Sequence, residues 1–287
     1  MADRSLNLLV GTGTFYEGPR WHEDRWWVSD FYRQTVFAIT PDGAQEAVMK
    51  VDQQPSGLGW LPDGTMLVVS MKDRRLLRRT TGGQVDEVAD LSRMAPWHLN
   101  DMVVDQQGRA WIGNFGFDLM AGASPVATNL IRVDPDGTAA VVAEDLNFPN
   151  GSVVTPDGRT LIVGESGAQR YTAFTIAGDG HLDDRRVWAQ MSDPAVTPDG
   201  CALDAENHIW AADAYGQRCV RVAEGGAVVD EVRAPDGLGV YACMLGGQDG
   251  RTLLMCCAPS HLEHERVSAT DAMLFTVEVE VPHAGCP

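Results

Sequence analysis

The 287-residue sequence predicts an all-β chain wound into a six-bladed β-propeller. Short apolar or alternating runs fill it, each bounded by Gly, Pro, Asp or Asn, and helical periodicity is scarce. Six such units follow one another at a spacing of about 40–50 residues, the length of a four-stranded blade. They run on without a linker or a low-complexity stretch, so one domain over residues 1–287 is expected.

The units can be taken in order. "RWWVSD", "TMLVVS", "RAWIGN", "TLIVGE", "HIWAAD" and "TLLMCC" each follow a turn and read as equivalent second strands. A further strand then ends near another turn, as in "TVFAITPDG", "LLRRTTGG", "NLIRVDPDG" and "CVRVAEGG". Trp26, Trp27, Trp111 and Trp210 recur on the second strands and read as packing between blades. A ring must close to hide its sheet edges, so "SLNLLV" and "MLFTVEVEV" are expected to share the last blade. "HLEHERVSATD" is polar and reads as a long solvated loop of that blade, His261 and His264 included. His208 opens a strand and reads as an edge residue.

Composition narrows the function. The net charge is −18, which repels nucleic acid and anionic lipid, so neither is expected as a partner. No apolar window approaches the roughly 20 residues of a membrane span, and "MADRSLNLLV" does not read as a signal peptide. Cys201, Cys219, Cys243, Cys256, Cys257 and Cys286 are scattered, which suits free thiols in a reducing cytoplasm. Neither a nucleophile elbow nor a Gly-rich phosphate loop is present, so serine-hydrolase and nucleotide chemistry lack support. The expected partner is a small molecule; the sequence does not set an oligomeric state.

Repeat phase singles out a ring of residues. Eleven positions before Val28, Leu67, Trp111, Leu161 and Trp210 stand Glu17, Ser56, Asn100, Asn150 and Asp199. The sixth unit fits less cleanly, near Tyr241 or Ala242. In a propeller these starts of inner strands meet at one end of the central channel. The five carry two carboxylates and two amides, a set suited to a hard divalent cation. Asp199 belongs to one of six Pro-Asp-Gly copies. Asp63 and Asp157 fall in hairpin turns after an inner strand, whereas Asp199 stands at the start of one. Pro198-Asp199-Gly200 is expected to keep its turn, with Gly200 letting the chain enter the strand.

These stretches resemble the SMP-30/gluconolactonase (regucalcin) family: "EGPRW", "LNDMVVDQQGRAWIGN", "FPNGSVVTPDGRTLIVGES" and "PDGCALDAENHIWAADA". The resemblance implies one divalent metal in the channel of a six-bladed propeller, and hydrolysis of lactones. It implies Glu17, Asn150 and Asp199 as metal ligands, Asn100 as a substrate or water contact, and Asp199 also as the proton acceptor. Calcium is the leading metal; zinc, magnesium and manganese fit the same ligands. The family's animal sugar lactonases carry an Arg two residues before the equivalent of Asn100, where His98 stands here. With Trp97, Phe115, Phe117 and Met120 nearby, the expected pocket mouth is apolar and aromatic, suiting a lactone less polar than a sugar lactone. His98 is the one histidine expected at the site. The alternatives are a non-hydrolytic isomerase or lyase using the same metal and pocket, and a metal-stabilised binding protein.

Overall fold

A computed structural model of the chain describes residues 4–191 and 195–285. Cys286, among the expected free thiols, lies outside them. Strand β1 (Asn7–Gly13) precedes the first blade, which is β2 (Tyr16–His22), β3 (Arg25–Asp30), β4 (Thr35–Ile39) and β5 (Gln45–Lys50). The second is β6 (Pro55–Trp60), β7 (Met66–Ser70), β8 (Arg75–Arg79) and β9 (Val85–Asp90). The third is β10 (Leu99–Val104), β11 (Ala110–Asn114), β12 (Thr128–Val133) and β13 (Ala139–Leu146). The fourth is β14 (Pro149–Val154), β15 (Thr160–Glu165), β16 (Arg170–Ile176) and β17 (Leu182–Gln190). The fifth is β18 (Pro198–Leu203), β19 (Ile209–Asp213), β20 (Arg218–Val222) and β21 (Val228–Arg233). The sixth is β22 (Gly239–Gly246), β23 (Thr252–Ala258) and β24 (Ala272–Glu278), completed by β1.

The six-bladed propeller is therefore present, and the two ends of the chain close it. β1 pairs antiparallel with β24, Leu8 opposite Phe275 and Val10 opposite Leu274. Between blades the faces are apolar. Trp26, Trp111 and Trp210 on β3, β11 and β19 are buried, and a layer of this kind supplies most of the folding energy. The five described cysteines are free and buried. Among the described residues no helix is long and apolar enough to cross a membrane.

Pro198-Asp199-Gly200 does not form a turn. All three residues belong to β18, and Pro198 pairs with Asp213. The reason for glycine here is the neighbouring blade. A Cβ on Gly200 would lie 2.6 Å from the Cβ of Ala242 on β22. A Cβ on Gly151 would lie 2.4 Å from the carbonyl oxygen of Asp199. Inner strands of adjacent blades approach backbone to backbone, and only glycine leaves the room. The Asp63 and Asp157 carboxylates do cap hairpins, accepting from the Thr65 and Arg159 backbone N–H groups at 2.9 and 3.1 Å.

Candidate active site at the channel mouth

Glu17, Ser56, Asn100, Asn150 and Asp199 are each the second residue of an inner strand, β2, β6, β10, β14 and β18. Each of these strands has a bulge just beyond that position, for example between Pro198 and Cys201. In β22 the bulge is shorter, at Tyr241, and Tyr241 reaches the cavity there. This change of bulge is why the sixth unit fits the repeat poorly.

Glu17, Asn100, Asn150 and Asp199 line one cavity of about 430 Å³, while Ser56 is buried outside its lining. A hydrogen-bond chain fixes Asn150. The Ser166 hydroxyl donates to the carbonyl of Pro198 at 2.6 Å, so its oxygen accepts from the Asn150 amide nitrogen at 3.2 Å. The Asn100 amide nitrogen donates to the Pro149 carbonyl at 3.3 Å. Both amide oxygens are left as the electron-pair donors of these side chains, the arrangement a metal ligand needs from its supporting groups.

The two carboxylates bear the electrostatic cost of this floor. Burial first, then the charges of Asp199 and Asp101, push the Glu17 carboxyl well above its ordinary range. Burial likewise pushes Asp199 up to about 7, aided by Asp101 and Asp213 and opposed by a hydrogen bond from Asn150. In the hairpin copies the direction reverses: hydrogen bonds to solvent-exposed Asp63 and Asp157 hold both below the usual carboxylate range. Arg20 is buried beside the floor but is engaged elsewhere, with Asp101 at 3.0 Å, the Pro19 carbonyl at 2.7 Å and the Met102 carbonyl. Its charge therefore cancels that of Asp101 more than that of Glu17 or Asp199. Such a floor, two carboxylates with oriented amide oxygens, fits a hard cation that removes the repulsion. Among the described residues no three His, Cys, Asp or Glu side chains converge as a metal cage, so a cation held here would need the amide oxygens as well as the two carboxylates.

Above the floor the walls are largely apolar. His98, Phe115, Phe117 and Met120 line the cavity as anticipated, but Trp97 does not: it stacks behind His98 at 5.1 Å. Burial lowers the His98 pKa, with Lys72 adding to the effect, so the neutral imidazole is favoured. The sixth-blade loop departs from the solvated loop anticipated for it. It carries a short helix, α1 (Glu263–Arg266), whose Arg266 is buried against the Thr14 carbonyl at 2.7 Å. That anchor brings His261 and Glu263 to the cavity, so His98 is not the only histidine there. Lys72 closes on Glu263 at 2.9 Å across the rim. Sequence reasoning also missed Phe15, Phe148 and Gln54, all cavity residues. Their signal was available: each stands two positions before a ring residue.

The sequence pattern of the SMP-30/gluconolactonase/LRE-like region matches residues 15–259. The chain belongs to this family. It is 28% identical over 249 residues to pentonolactonase XacC of Haloferax volcanii, covering 84% of this chain and 81% of that protein. It is 23% identical over 290 residues to L-arabinolactonase of Azospirillum brasilense, covering 97% and 89%. The calcium-binding protein regucalcin from Agrobacterium tumefaciens has the same fold, with a TM-score of 0.82 at 21% identity, over 100% of this chain and 96% of that one.

Proposed function

We propose that this member of the family opens a lactone to its hydroxy acid with the help of one divalent cation, calcium first among the candidates. The observation that carries the reading is the floor: Glu17 and Asp199, two carboxylates whose pKa values are raised together, beside amide oxygens oriented by a hydrogen-bond chain. Relatives named pentonolactonase and L-arabinolactonase support the reaction class. Glu17, Asn150 and Asp199 would hold the cation. When bound, it supplies Lewis acidity toward the lactone carbonyl.

The chain's own residues do the rest. Asp199 accepts a proton from the attacking water as its oxygen bonds to the carbonyl carbon. The ring C–O bond breaks, and the same proton passes to the departing ring oxygen, giving the alcohol. Asn100 orients substrate or water beside that carboxylate. The apolar walls keep bulk water away and favour a lactone less polar than a sugar lactone.

The test is acid release from a lactone panel after chelation, with calcium, zinc, magnesium and manganese restored singly. Metal-dependent release that is lost in Asp199→Asn is expected. Release indifferent to both chelation and Asp199→Asn would overturn the proposal.

A further inference from the structure

The residues two positions before the floor form a second tier. Phe15, Gln54, His98, Phe148 and Thr197 stand in this place on five successive blades, and all five line the cavity. In a ring of six, the first blade faces the fourth and the third faces the sixth. Phe15 thus faces Phe148 across the cavity, and Phe115 on the third blade faces Tyr241 on the sixth.

Each side is an aromatic wall in its own right. Phe15 packs on Tyr241 with centroids 4.7 Å apart and on Phe31 at 5.3 Å. Opposite, Phe148 packs on Phe115 at 4.8 Å and on Phe117 at 5.7 Å. Phe148 is also held at φ 59, in the left-handed region. A bulky side chain there costs about 1–2 kcal/mol against the glycine that fits without strain. The side chain is only half-buried and turns toward the cavity. Gln54, the equivalent residue of the second blade, is left-handed too, at φ 69, so the turn belongs to the repeat and the large ring placed on it is particular to the fourth blade.

The rim extends the same chemistry outward. Met120, Val126 and Tyr215 are 40%, 53% and 76% exposed, and all border the cavity. Polar groups near the floor already serve protein acceptors: Asn100 the Pro149 carbonyl, Ser166 the Pro198 carbonyl, and Lys72 the Glu263 carboxylate. Near the floor a hydroxyl-rich or anionic ligand finds few donors left to pair with, and the polar groups of Gln54, His98, Thr197 and Tyr241 border the cavity higher up. A planar apolar group finds two facing ring walls, the offset and edge geometries that aromatic contacts favour.

We infer that the substrate is a lactone carrying an aromatic ring, held between the Phe15–Tyr241 and Phe115–Phe148 walls, and that Phe148 sets this specificity. The inference rests on the lactone reading of the floor.

The experiment compares wild type with Phe148→Gly, which removes the wall and suits the backbone. The substrates are 3,4-dihydrocoumarin, δ-nonalactone of equal carbon number, and δ-valerolactone. Relative to the alkaline hydrolysis rates of the three esters, which correct for the phenolate leaving group of dihydrocoumarin, wild type should prefer dihydrocoumarin to both. In Phe148→Gly the kcat/KM ratio of dihydrocoumarin to δ-valerolactone should fall at least about tenfold, with the circular dichroism of the propeller retained. A purely structural Phe148 predicts a ratio unmoved whatever the Tm, and that result overturns the inference. Equal or better turnover of δ-nonalactone overturns the planar group. Calorimetric binding of 1-tetralone against cyclohexanone, neither of which can be hydrolysed, tests the slot apart from turnover. Tetralone should bind at least about tenfold tighter, with the advantage lost in Phe148→Gly. Tetralone preference without opening of any lactone defeats the lactone reading and leaves the slot; lactone opening without either preference defeats the slot alone.

Discussion

Asp199→Asn should make the metal-free protein more stable at pH 8 while removing its response to metal. The Asp199 carboxyl sits near pH 7 in the fold, against an ordinary 3.8. The native state therefore holds a proton between those values that the unfolded chain has already lost. Stability accordingly falls as pH rises through that window and stays low above it. At 1.36 kcal/mol per pH unit, the ionised group costs about 4 kcal/mol. The hydrogen bond from Asn150 is already counted in that figure, so the variant should gain up to about 4 kcal/mol at pH 8. Unfolding entropy near 2.1 cal/mol/K per residue makes this a Tm rise of up to about 7 °C for a chain of this length. At pH 4 most of the gain should vanish, because the wild-type carboxyl is then protonated in the fold. Scanning calorimetry in chelator at both pH values reads the difference, and a second pair of scans with calcium should stabilise only the wild type. A variant no more stable than wild type at pH 8, or equally more stable at both pH values, refutes the electrostatic reasoning.

Three further outcomes follow from the same geometry. Glu17→Gln should cut metal-dependent kcat/KM by at least about a thousandfold with the circular dichroism of the propeller retained. Metal affinity of the wild type should weaken by at least about tenfold per pH unit below 7, because Asp199 and Glu17, both raised, must release protons to bind the ion; titration at pH 5, 6 and 7 measures the slope. Gly151→Ala should cost about 1–3 kcal/mol, since its Cβ meets the Asp199 carbonyl, and denaturant unfolding gives the value.

The blades were legible because their signals are local. Turn residues punctuate runs of strand-forming residues, and the repeat phase alone brings Glu17, Asn150 and Asp199 into register. The role of Gly200 was not legible, because what excludes a side chain there is Ala242, on a strand from the next blade. Tyr241 escaped because a single-residue bulge shifts the phase of β22. His261 and Glu263 lie on a loop outside the repeat, and the buried Arg266 that seats this loop is visible only in its contact with Thr14. Trp97 shows the opposite failure: nearness in sequence to His98 did not decide which face it would take.

Gly151 and Gly200 do more than let two strands meet. Each follows a floor residue, so the gap between strands is also the gap between the donors carried by those strands. A closed ring has no free end at which to take up slack. Widening one seam by a methyl group must tilt the blades on either side or spread the others. The aperture that the proposed cation site would offer is thus a shared dimension, set at seams around the whole circumference. Substitutions at a seam far from the pocket should therefore retune which ionic radius it prefers, without touching a single donor.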